Sequence, residues 1–260
     1  MTARRGAWFY TATIGIGLVT GLLSGLFGVG GGTVIVPLLM MSLQFDQRRA
    51  AGTSLAAIMP SATVGMIVYG IHGSVDLLAA AILAVGAIGA AQVGTWMLPR
   101  VSLVALRWGF IGFLALVVAS LFVVIPSRTA ELAYTPLSIS GLVVLGIVTG
   151  LLAGLLGVGG GVLVVPMLIL LFGVSDVTAK GTSLLMLIPT TISGTVGNAR
   201  RNNIDFRAAV VIGLAACTTT ALGAWLATII DPRTGSILFA AFLSVIAVQI
   251  VVRGARRPRG

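Results

Sequence analysis

The chain has 260 residues, 58% hydrophobic and 8% charged, with sixteen Lys+Arg against six Asp+Glu and a formal charge of +10. That is too little polar surface to cover a water-soluble globule of this size, so the composition implies a polytopic membrane protein. The basic excess does not signal nucleic acid, because the arginines fall in short clusters between apolar runs, and the single cysteine, Cys217, excludes an internal disulfide or a cysteine-based metal cluster.

The first apolar run follows Arg4 and Arg5 without a convincing small-x-small cleavage site, so it reads as a membrane helix near 8–28 rather than a signal peptide. Next comes GLFGVGGGTVIVP, residues 25 to 37, a glycine run leading into a short apolar segment near 33–45. Further helical segments are expected near 50–71, 76–98 and 103–125, bounded by polar residues, Gly and Pro. The polar break IPSRTAELAYTP, 125 to 136, precedes segments near 138–157, 162–173, 179–199, 206–229 and 235–252. These runs lack barrel-type alternation, which leaves helices as the means of satisfying the backbone in lipid.

The chain repeats itself without a gap at an offset of 129 residues: TGLLSGLFGVGGGTVIVP (20 to 37) lies over TGLLAGLLGVGGGVLVVP (149 to 166). Gly52-Thr53-Ser54-Leu55 then lies over Gly181-Thr182-Ser183-Leu184, Pro60 over Pro189, Asp76 over Asp205 and Trp96 over Trp225. Such symmetry marks a transporter fold. The expectation is an N-terminal membrane repeat 1–125, a linker 126–137 and a C-terminal repeat 138–260. Five segments per copy is odd, so the copies are inverted. With a cytoplasmic N-terminus, thirteen of the sixteen basic residues fall inside and only Arg128, Lys180 and Arg233 outside. Both termini are therefore expected in the cytoplasm. The fold class is an all-α polytopic protein of two inverted repeats, with eight to ten transmembrane or re-entrant segments and glycine-broken half-helices.

The segment after each glycine run has about 12 residues, roughly 18 Å, against about 30 Å of hydrocarbon. Each is expected to form a hairpin whose tip, Gly28 to Gly32 or Gly157 to Gly161, stops inside the membrane; a full crossing leaves the topology unchanged. A helix start presents free N–H groups and the positive end of the macrodipole, which bind anions. Gly30, Gly31 and Gly32, with Gly159, Gly160 and Gly161, are candidates for an N–H concavity, and Thr53, Ser54, Thr182 and Ser183 add hydroxyls. Gly17, Gly21 and Gly25, like Gly146, Gly150 and Gly154, have the four-residue spacing of close helix packing. Neither glycine run meets a nucleotide-loop pattern.

All six acidic residues fall at expected loops or helix ends, which argues for a negatively charged substrate rather than a cation or proton pump. Asn198 is a further contributor. Arg201 is either a mouth residue for anions or a topology signal, and His72 either a proton relay or an interfacial residue. No catalytic constellation, metal set or cofactor motif is present, which argues against an enzyme.

The doubled G-x-x-G-x-G-G-G run, each followed by an apolar stretch with Pro and a G-T-S element, resembles the TauE/SafE family of sulfite exporters and related anion permeases. The resemblance covers nearly the whole chain. It implies a multi-pass secondary carrier of the plasma membrane that moves sulfite, sulfoacetate or other organosulfonates by alternating access, its path lined by the ten glycine, threonine and serine candidates above. An anion channel with the same opposed tips and a membrane accessory subunit are the alternatives. The expected partners are a small anion, the bilayer and, by default, a coupling proton; a homo-oligomer stays open.

Overall fold

A computed structural model describes residues 6–98, 108, 111, 112, 115, 118, 119 and 132–255. The segment expected at 103–125 lies mostly outside the described residues. The described residues form helices and no strand: α1 (Ala7–Phe27), α2 (Gly32–Ser42), α3 (Gln47–Ile71), α4 (Leu77–Met97), α5 (Pro136–Leu156), α6 (Gly161–Phe172), α7 (Asp176–Ala199), α8 (Phe206–Ile229) and α9 (Pro232–Ala255). Five of them, α1, α3, α4, α5 and α8, are long and apolar enough to cross a membrane. The two that follow the glycine runs have 11 and 12 residues and are too short to do so.

Polar caps set where the helices begin. Asp46 accepts the amides of Arg48 and Arg49, Asp76 that of Ala79, and Asp205 that of Ala208. Ser175 accepts the Thr178 amide, so α7 starts at Asp176, a turn before the apolar pattern alone indicates.

The glycine stripes decide which helices pair. A Cβ on Gly17, Gly21 or Gly25 of α1 would fall 2.5, 2.2 and 2.2 Å from the carbonyl oxygens of Ile212, Ala216 and Thr220 of α8. On Gly146, Gly150 or Gly154 of α5 it would fall 2.2, 2.3 and 2.3 Å from those of Leu83, Ala87 and Ala91 of α4. The numbers rise together in each pair, so α1 and α8 run parallel, as do α4 and α5. In contrast α3 and α7, equivalent helices of the two copies, run antiparallel: Gly194 faces Leu55 and Gly65 faces Leu184. Those two contacts are exchanged by the 129-residue offset, the signature of a two-fold relation between oppositely oriented copies.

Each repeat has thus exchanged its fourth helix with the other. One core gathers Ile35, Leu39, Ile58 and Ile212 from α2, α3 and α8; the other gathers Leu83, Leu142, Val164 and Leu168 from α4, α5 and α6. Large apolar side chains such as Val19, Val85, Val144 and Leu214 point outward, as lipid contact requires, and Trp96 and Trp225 lie exposed near equivalent helix ends.

Candidate functional site: the paired glycine tips

Each tip is a left-handed turn between two helices. Gly28, Gly30 and Gly31 have φ of 69°, 76° and 76°, and Gly157, Gly159 and Gly160 have 70°, 82° and 86°. A side chain at these angles costs roughly 1–2 kcal/mol per residue, which accounts for the glycines. Gly31 and Gly160 are the N-caps of α2 and α6, and neither helix receives a side-chain cap. In each first turn the third amide, Val34 or Leu163, bonds to the N-cap carbonyl at 3.0 Å, which leaves those of Gly32, Thr33, Gly161 and Val162 as the donors at the positive helix ends.

The tips meet. A Cβ on Gly32 would lie 2.6 Å from the carbonyl oxygen of Val158, and one on Gly161 would lie 2.7 Å from that of Gly28. The two turns are in backbone contact across the two-fold. Ile58 and Leu187, at the midpoints of α3 and α7, close over them, each within 3.4 Å of the Cβ positions of both Gly30 and Gly159. Gly28 to Thr33 and Gly159 to Val162 are buried, so the junction is sealed in this conformation. Nothing in the sequence singles out Ile58 and Leu187, two apolar residues among many, except that the offset relates them.

The G-T-S elements divide into three contacts. Gly52 and Gly181 leave room for the carbonyl oxygens of Asn203 and Ser74, which would sit 2.4 and 2.1 Å from a Cβ. Thr53 and Thr182 each accept a backbone N–H from the other repeat, Asp205 at 3.0 Å and Asp76 at 2.9 Å. Ser183 donates to the Gly28 carbonyl at 3.0 Å, whereas the equivalent Ser54 is buried without a partner among the described residues. Thr33, in the first turn of α2, and Ser24, in the last turn of α1, are also buried with unpartnered hydroxyls. Two free hydroxyls, Ser24 and Thr33, thus flank the N-terminal tip, and that of Ser54 lies on the α3 turn that packs against Gly157 of the other tip. Thr33 and Ser24 have no polar counterpart in the second copy, where Val162 and Ala153 stand, so the repeat pattern does not pick them out.

The accessory candidates lie elsewhere. Asn198 is buried and donates to the Gly194 carbonyl at 3.0 Å. Arg201 donates to Thr95 Oγ1 at 3.2 Å and to the Gly197 carbonyl at 2.6 Å. His72 is an exposed helix end, its Nδ1 2.8 Å from the Val68 carbonyl. None of these bonds reaches a tip. The sequence reading sets Asp176 at a loop or helix end and Lys180 at the outer start of the segment near 179–199, but both are buried in the first turns of α7.

The sulfite exporter TauE/SafE family matches residues 2–121 and 142–260. The chain belongs to the TauE/SafE family. It is accordingly a multi-pass membrane transporter and not an enzyme. A probable membrane transporter protein of Xylella fastidiosa (strain 9a5c) is 30% identical over 249 residues, covering 92% of this chain and 93% of its own. The probable membrane transporter protein YunE of Bacillus subtilis (strain 168) is 31% identical over 124 residues, 45% of each chain. YdhB of the same organism, also a probable membrane transporter protein, is 26% identical over 72% of this chain and 77% of its own. No solved structure matches the chain. The interval between the two TauE/SafE matches brackets the polar linker.

Proposed function

We propose that this TauE/SafE protein is a secondary carrier that moves small sulfur-containing anions, sulfite or organosulfonates, across the plasma membrane by alternating access. Both termini lie in the cytoplasm, on the side where the arginine clusters collect. The observation that carries this reading is the meeting of two uncapped helix starts from opposite directions, with free hydroxyls beside one of them. An oxyanion bound there satisfies amide donors that otherwise lack partners. The sealed junction supports a carrier over an open pore.

The exchanged helices determine what rocks. Sliding residues 1–125 against 138–260 would tear apart the α1–α8 and α4–α5 pairs, where helix backbones touch. The moving units are instead α1, α2, α3 and α8 on one side and α4, α5, α6 and α7 on the other, meeting at α3 and α7.

Counterflow tests the proposal. Purified protein in liposomes preloaded with unlabelled sulfite accelerates uptake of labelled sulfite if it is a carrier. Conductance with simple equilibration indicates a channel instead, and no flux of sulfite or sulfonates in either format rejects the assignment.

A further inference from the structure

The two tips share a backbone but not their polar side chains. Thr33 stands in the first turn of α2, beside the free amides of Gly32 and Thr33, and is only 5% exposed. Ser24, 1% exposed, stands on the face of α1 that lies against the same helix start. A Cβ on Gly31, the N-cap of α2, would meet the carbonyl oxygen and Cβ of Thr20 at 3.1 and 3.2 Å, and Ser24 follows Thr20 by one turn. Neither the Ser24 nor the Thr33 hydroxyl has a partner among the described residues. In the second copy Ala153 and Val162 hold the equivalent places, so the start of α6 has its amides without these hydroxyls.

A buried hydroxyl within a helix ordinarily donates to the carbonyl three or four residues back. Thr13, Thr20, Thr190, Thr191 and Thr220 do so at 2.7–2.8 Å. Ser24 forgoes that bond, and so does Ser54, which lies on α3 one turn before Ile58, the residue that covers both tips. A buried polar group left unpaired costs stability, and a ligand that pairs it recovers the loss. Ser24, Thr33 and Ser54 all belong to α1, α2 and α3, helices of one moving unit. The other unit's Ser183 is already committed, donating to the Gly28 carbonyl at 3.0 Å. The unpartnered Thr195 hydroxyl of that unit lies about two turns along α7 from Leu187, away from the tips.

We propose that Ser24 and Thr33 are substrate-binding residues and that the anion is held from one side. When Ile58 and Leu187 part, its oxygens take the hydroxyls of Ser24 and Thr33 and the amides of Gly32 and Thr33, and it stays with the unit of α1, α2, α3 and α8 while the other tip withdraws. Four donors without formal charge, at the positive end of a helix, suit a small oxyanion with several acceptor oxygens. This rests on the anion-carrier reading and adds to it the residues that hold the anion and the unit that carries it.

The test uses the full chain, purified and in liposomes, with sulfite as the probe. Ser24→Ala/Thr33→Val gives the first copy the side chains that the second already carries and removes no hydrogen bond printed by the fold itself. The ligand-free melting temperature is expected to hold or rise, while the half-saturating sulfite concentration for counterflow rises about tenfold or more and the sulfite-induced rise in melting temperature shrinks. Wild-type half-saturation in that variant overturns the inference, as does a lower ligand-free melting temperature, which assigns the hydroxyls to the fold. If the double variant does not fold, Ser24→Ala and Thr33→Val are read singly in the same way. The swapped variant Thr33→Val/Val162→Thr moves one hydroxyl to the other tip, and its half-saturation is expected to stay as high as that of Thr33→Val. Recovery to the wild-type value shows that the tips share the anion and overturns the one-sided placement. Absence of sulfite counterflow in the wild type marks failure of the carrier reading itself, and of this inference with it.

Discussion

Ser183 donates its hydroxyl to the Gly28 carbonyl at 3.0 Å, and in doing so ties α7 of the second repeat to the glycine tip of the first. The equivalent hydroxyl of Ser54 is equally buried but makes no such bond to the other tip. Ser183→Ala therefore strips a partner from a buried carbonyl and is expected to cost about 1–2 kcal/mol, seen as a lower melting temperature in detergent. Ser54→Ala removes no protein bond and should leave the melting temperature nearly unchanged. If the Ser54 hydroxyl serves the anion, its loss lowers sulfite counterflow instead, and an unchanged flux rejects that role.

The packing stripes separate from other helix glycines in the same way. Gly150→Ala places a methyl 2.3 Å from the Ala87 carbonyl oxygen and forces α4 and α5 apart. It should cost about 2 kcal/mol or more, in the range of overpacked cores. Gly15→Ala, on the same kind of helix but with open space around the new methyl, should stabilise by about 0.5–1 kcal/mol through helix propensity. Melting curves of the two variants check the contrast; equal shifts would mean that the stripe is not a packing face.

The division between what the residues announce and what they hide follows from this packing. The repeat, the short helices and the tip glycines are legible because runs of glycine interrupt apolar sequence at a fixed offset. The G-x-x-x-G faces say that a close neighbour exists, but α1 and α8 carry no complementary code that a reader can match, so the exchange of fourth helices appears only in three dimensions. Asp176 and Lys180 stand four residues apart just after Gly173 and Ser175, where the apolar pattern breaks. Only the Ser175 cap, which draws the helix back to Asp176, turns that apparent loop into a buried ion pair.

Alkaline pH should act through Tyr134. Its hydroxyl donates to Asp76 Oδ1, and partial burial, this bond and the carboxylate charge together hold the phenol protonated well above its ordinary value near 10. A group whose folded value is raised stabilises fully below its unfolded value and loses that contribution as pH rises beyond it. The melting temperature is thus expected to fall as pH climbs past about 10. Tyr134→Phe, which has no proton to lose, should show a shallower fall, and parallel curves for the two proteins would remove Tyr134 from the explanation.

Crosslinking can locate the moving boundary. With Cys217→Ala as background, cysteines at Leu18 and Thr219 lie within one unit, where Thr219 Oγ1 donates to the Leu18 carbonyl at 2.7 Å across α1 and α8. Cysteines at Gly65 and Leu184 span the α3–α7 contact, where a Cβ on Gly65 would lie 2.7 Å from Leu184 Cδ1. If the units rock about that contact, a short thiol-to-thiol bridge between positions 65 and 184 should arrest sulfite counterflow, whereas one between positions 18 and 219 should leave most of it. Reduction of a cleavable bridge should restore the lost flux, which separates arrest from the damage done by the substitutions. Arrest by the 18–219 bridge alone would instead make the sequence halves the moving bodies, because it would show that α1 and α8 must part.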